Sequence, residues 1–107
     1  MPASDSPNQA SPQEPAVLSA VLQRYLGKVV VVDVEAPYVY IGTLVRYDGH
    51  FLELRDADVH DLRDSTSTRE LYVLESSQYG VRRNRRAVQI RTEKIVSISL
   101  LSDVTDR

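Results

Sequence analysis

The chain contains no cysteine. That absence excludes a disulfide framework, a cysteine-ligated zinc site, an iron–sulfur cluster and thiol catalysis together. Stability must therefore come from packing. Long apolar runs are also missing, since nothing approaches the roughly 20 residues of a membrane span. The opening MPASDSPNQASPQEP lacks the basic start and apolar stretch of a signal peptide. A cytoplasmic protein with no membrane partner is the expectation. A basic excess is absent too: thirteen Lys+Arg against fifteen Asp+Glu leave a net charge of −2. The chain is not a globally basic nucleic-acid binder, and any anion site must come from local clustering. At 107 residues there is room for one modest core, not for a deep cleft between two lobes.

Four of the five prolines (Pro2, Pro7, Pro12, Pro15) fall in the first fifteen residues, among Ser, Ala, Gln and Asn. Such a composition does not repay ordering entropy, so 1–14 is expected to be a disordered tail and 15–107 one domain. Val17, Leu18, Val21, Leu22, Tyr25 and Leu26 recur at helical spacing before Gly27, which predicts a short amphipathic helix. The β-branched run Val29–Val34 then predicts a buried strand, and Pro37 a turn. Tyr38–Tyr47 reads as a second strand, with Gly42 marking a sharp bend or close packing. Asp48-Gly49 is a hairpin signal leading into a third strand, His50–Arg55.

The polar stretch 56–70 predicts a long loop, and 70–75 a short strand buried on both sides, followed by a turn at 76–80. Arg86–Arg91 and Ile95–Leu100 complete the set, with Thr92–Lys94 as a tight connection. The sum is one helix followed by five or six short antiparallel strands.

The segment Gly27–Asp56, with its central Gly42 and its Asp48 before the third strand, resembles the first motif of the Sm/LSm family, and Ile90–Ile98 resembles a diverged copy of the second. The resemblance implies a mostly β fold: a small, strongly bent five-stranded antiparallel Sm-like barrel with an N-terminal α-helix, carrying an insertion at about 57–85. It also implies self-association, with the terminal strands pairing between subunits in a homo-oligomeric ring, which would remove exposed edges. The family threads RNA along the inner rim, a base lying between an aromatic or histidine side chain and an arginine while an asparagine reads the base edge. Carried over, His50 is the stacking residue and Arg91 the arginine. The asparagine position is Leu52, which offers no hydrogen bond. The glycine after the arginine is Thr92. The resemblance thus implies stacking and phosphate attraction without base-edge reading.

From 82 to 94 six basic residues (Arg82, Arg83, Arg85, Arg86, Arg91 and Lys94) accompany one acid, Glu93. Such a cluster attracts phosphate by counterion release, or equally pairs with acids of a neighbouring subunit. Asp56, Asp58 and His60 alternate, so in an extended segment they point the same way and are weak candidates for a divalent cation; an ionic surface is the preferred alternative. No nucleophile elbow, phosphate-binding glycine loop or zinc-protease helix occurs. The reading is an Sm-like ring protein that binds single-stranded RNA and needs no cofactor. The alternatives are an Sm-like scaffold without nucleic acid and, less favoured, a metal-dependent hydrolase; an enzyme is not expected.

Overall fold

The structure, a computed structural model, describes residues 19–64 and 68–106. The expected tail lies outside the described residues. Helix α1 is seen over 19–23, followed by a turn through Gly27, whose φ of 78° favours glycine. The Gly27 N–H donates to the Leu44 carbonyl at 2.7 Å, which seats the turn on the sheet. Five strands follow: β1 (Val29–Val34), β2 (Tyr38–Tyr47), β3 (Phe51–Asp61), β4 (Arg85–Arg91) and β5 (Ile95–Leu100). All pair antiparallel in one sheet of order β4-β3-β2-β1-β5.

The sheet is bent. Leu22 of α1, Val30, Val32 and Val34 of β1, Leu44 of β2, Leu52 and Leu54 of β3 and Ile90 of β4 form one buried cluster, with Ile98 and Leu100 of β5 packed against it. A flat sheet cannot bring its two edge strands to one core. Each fully buried Val or Leu in it contributes about 1.5–3 kcal/mol. Bending has two local causes. The β2–β3 register shifts between Ile41 and Thr43, opposite Asp56, which takes a positive φ of 51°. At that point Gly42 lies so close to β3 that an added Cβ would sit 2.9 Å from Ala57 Cβ and 3.1 Å from the Arg55 carbonyl oxygen.

The structure corrects the reading of the insertion. The loop expected over 56–70 is largely regular: β3 runs on to Asp61, and a 3-10 turn covers Leu62–Asp64. Residues 65–67 lie outside the described residues. The strand expected over 70–75, with its turn at 76–80, is instead a helix, α2 (Arg69–Tyr79). Thr68 caps it, its Oγ1 accepting from Leu71 N at 3.1 Å, and Gly80 (φ 102°) ends it with its N–H on the Ser76 carbonyl. Helix wins over strand because Tyr72, Val73 and Ser76 then share a buried face. That face meets Val31, Val39 and Ile41 on the outer side of the sheet, making a second apolar cluster. β1 is thus buried on both faces. Asp33 of β1 ties the layers together, pairing with Arg69 of α2 at 3.1 Å and accepting from Ser97 Oγ of β5 at 2.9 Å.

Candidate functional site

The first candidate surface is built by two turns. In the β2–β3 turn Asp48 Oδ1 accepts the N–H of His50 at 2.7 Å and of Phe51 at 2.9 Å. These bonds, the His50 one first, hold the Asp48 carboxyl below its ordinary pKa. Because one oxygen holds both N–H groups, His50 belongs to the turn and β3 starts at Phe51. The β4–β5 turn, Thr92–Lys94, is pinned against it: Thr92 N donates to the His50 carbonyl at 2.9 Å and Thr92 Oγ1 to the Gly49 carbonyl at 3.0 Å. The threonine that departs from the family's glycine therefore acts as a clasp.

The clasp brings His50 and Arg91 together, but the side chain opposite Arg91 is another. Phe51 is its ladder partner, and the Arg91 guanidinium lies 6.0 Å from the Phe51 ring centroid. Arg91 also pairs with Glu93. His50 is exposed at the tip of the turn, and Leu52 is fully buried in the core. Next along β3, Glu53 is only 5% exposed and accepts from Arg55 Nε at 2.6 Å and Arg46 Nε at 2.9 Å. Arg55 first, then Arg46, hold its carboxyl below the usual range, against the opposing effect of burial.

The arginine cluster read at 82–91 is divided by the fold. Arg85 and Arg91 stand at opposite ends of β4, a separation of about 20 Å at strand rise. Arg85 and Arg86 are exposed on β4. Arg82 and Arg83 instead line an open cleft of about 720 Å³ between α2, the distal half of β3 and the 80–84 segment.

The floor of that cleft holds two of the three residues considered for a cation. Asp58, 5% exposed, takes a hydrogen bond from the Tyr72 hydroxyl on Oδ2 and from Asn84 Nδ2 on Oδ1 at 3.0 Å. His60 stacks on Tyr72, ring centroids 3.9 Å apart and planes 11° from parallel. Burial first, then the bond to Asp58, pushes the Tyr72 hydroxyl pKa well up, so it stays a donor at neutral pH. Asp56 sits exposed on the bulge and does not join them. Among the described residues no group of three or more His, Cys, Asp or Glu is placed to hold a metal ion. Asn84 also bonds the backbone of Val59 through both amide atoms at 3.0 Å, continuing the ladder beyond β4 with a side chain. Sequence reasoning missed Phe51, Tyr72 and Asn84; only Phe51, the single phenylalanine of the chain, carried a compositional signal.

Solved structures give the fold its place. The Pyrococcus abyssii Sm protein, determined in complex with a uridine heptamer, superposes with a TM-score of 0.52 over 76% of this chain and 93% of its own, at 23% identity. The chain has the Sm fold. The SmAP1 heptamer of P. aerophilum gives a TM-score of 0.50 over 78% of this chain and 92% of its own, at 24% identity. The Sm-like protein AF-Sm2 of Archaeoglobus fulgidus gives 0.51 over 88% and 99%, at 14% identity. No family model matches the sequence. No curated protein matches it either. The likeness is thus one of the Sm fold. No described helix is long and apolar enough to cross a membrane.

Proposed function

We propose that this Sm-fold chain self-associates into a ring through its β4 and β5 edges and binds single-stranded RNA on the surface around Phe51, Arg91 and His50. The observation carrying the reading is the Phe51–Arg91 pair, an aromatic face and a guanidinium held opposite each other by the Thr92 clasp. An exposed ring beside an arginine suits base stacking combined with phosphate attraction. Support for assembly comes from the two edge strands, with Val96 of β5 66% exposed, and from fold neighbours described as a heptamer and as a uridine-heptamer complex. Arg82, Arg83, Arg85 and Arg86 supply a diffuse positive field further out. In this reading the chain is a binding module of the cytoplasm rather than an enzyme.

A scaffold that binds no nucleic acid is the second reading. It is favoured by the Arg91–Glu93 pair, which already occupies the guanidinium, and by the burial of Leu52. Native mass spectrometry of the purified chain, with a check for co-purifying RNA, tests both. A ring that binds oligonucleotides at low salt supports the first reading. A ring that binds none supports the scaffold, and a strict monomer at high micromolar concentration removes both.

A further inference from the structure

The cleft beside α2 takes no part in the Phe51–Arg91 surface. It lies beyond the opposite end of β4, walled by the distal half of β3, α2 and the 80–84 segment. We propose that this cleft is a second binding site, for a nucleotide: a phosphate joined to a planar base, either free or as one unit of an RNA strand. The proposal does not depend on ring formation or on RNA binding at Phe51 and Arg91.

Three observations carry it. Arg82 and Arg83 are exposed on one wall and make no hydrogen bond or ion pair among the described residues. Paired guanidiniums are suited to bidentate phosphate contacts. Tyr79, on the last turn of α2, stands 84% exposed at the same opening. A tyrosine ring left in water beside two arginines offers a stacking face, which a base would cover and inorganic phosphate would not. Finally, His60 lines the cleft with its ring fixed by the stack on Tyr72, yet its Nε2 is withdrawn from solvent and has no hydrogen-bond partner among the described residues. Buried polar atoms are nearly always partnered, so the cleft wall carries an unmet hydrogen bond here, which a water or a ligand atom admitted by a small shift of the wall would meet.

The rest of the cleft fits the same ligand. Its floor is polar and rigid, because Asp58 is held on both oxygens by Tyr72 and Asn84. Glu75, exposed on α2, presents an acceptor suited to ribose hydroxyls or exocyclic amines. The volume of about 720 Å³ falls in the range of small-molecule sites and exceeds what a lone anion fills.

Isothermal titration calorimetry of the full chain tests the proposal, with 5′-AMP, 5′-UMP, inorganic phosphate and a short RNA oligonucleotide as probes. At least one mononucleotide, or the oligonucleotide, should bind saturably at one site per chain. The double change Arg82→Ala/Arg83→Ala should weaken that binding by about tenfold or more, and Tyr79→Ala by several-fold. All three residues are exposed, so the variants keep the fold. Repeating the mononucleotide titrations in the Arg91→Ala background removes any share taken by the rim, so binding that persists there and is lost on adding Arg82→Ala/Arg83→Ala belongs to the cleft. In the Arg91→Ala background, an oligonucleotide that binds about tenfold tighter than either mononucleotide, and still depends on Arg82 and Arg83, identifies the strand as the source; equal affinities identify the free nucleotide. No saturable binding of any nucleotide probe, equal binding of inorganic phosphate, or binding lost in Arg91→Ala but kept in the Arg82/Arg83 variant would each overturn the proposal.

Discussion

Phe51 and Arg91 face each other as the first residue of β3 and the last of β4, the guanidinium 6.0 Å from the ring centroid. Side chains alternate across a strand, so a shift of one residue decides which group shares this position with Arg91. Asp48 settles it by drawing His50 into the turn.

If this pair holds RNA, Phe51→Ala and Arg91→Ala should each weaken binding of single-stranded oligonucleotides by about 1–3 kcal/mol. His50→Ala should cost less than Phe51→Ala. Because the buried Leu52 offers no base-edge partner, oligo-U and oligo-A should bind with similar affinity. Fluorescence anisotropy at two salt concentrations measures all four; an effect of His50→Ala larger than that of Phe51→Ala would return the stacking role to histidine.

Assembly should be sensitive to Val96. A valine 66% exposed on an edge strand has no folded-state reason to be apolar within one chain. If the chain forms the proposed ring, Val96→Lys should dissociate it while changing the stability of the subunit by no more than about 0.5 kcal/mol. Analytical ultracentrifugation alongside thermal melting separates the two effects, and an intact Val96→Lys ring would show that β5 does not pair between subunits through this residue.

Gly42 should tolerate no side chain. A Cβ at this position would approach Ala57 Cβ more closely than real Cβ atoms do, and the Arg55 carbonyl behind it is backbone. Gly42→Ala should cost roughly 1–3 kcal/mol by overpacking. Adding Ala57→Gly, which removes the nearest atom, should recover part of that loss, a coupling that urea denaturation of the two single variants and the double variant will measure.

The barrel strands were legible because their signals are local: a β-branched run for β1, Asp48-Gly49 for the hairpin, Pro37 and Thr92–Lys94 for the breaks. The insertion was not, because its structure depends on distant partners. Leu71, Val73 and their neighbours alternate like a strand, yet Tyr72 and Val73 are buried by Val31, Val39 and Ile41, far away in sequence. The distal half of β3 reads as polar loop because Asp58 is buried only by virtue of Tyr72 and Asn84. The helix did leave a trace, in a capping threonine and a closing glycine around eleven residues with neither Gly nor Pro. Of the candidate sites, Arg91 beside His50 was implied by the resemblance to the Sm motifs, whereas the choice of Phe51 and the separation of Arg82 and Arg83 from Arg91 require the register itself.

Tyr72 links α2 to β3 through its hydroxyl, and its removal should be read most clearly against pH. At neutral pH Tyr72→Phe leaves one oxygen of the buried Asp58 without its donor, a loss of about 1–3 kcal/mol. In the folded chain burial and the Asp58 bond raise the hydroxyl pKa above its ordinary 10.0. The unfolded chain therefore releases this proton first as pH rises. Its contribution to stability is fully present below about pH 10 and declines above it, with a limiting slope of about 1.4 kcal/mol per pH unit, until the folded-state pKa is reached. Tyr72→Phe has no such proton to lose. The stability gap between wild type and variant should hence narrow between about pH 10 and about pH 12. Urea denaturation followed by far-UV circular dichroism at about pH 8 and about pH 11 gives the comparison. Two curves that stay parallel across that window would mean that the Tyr72 proton is not held by the fold, and that α2 is anchored by Val73 and its apolar neighbours alone.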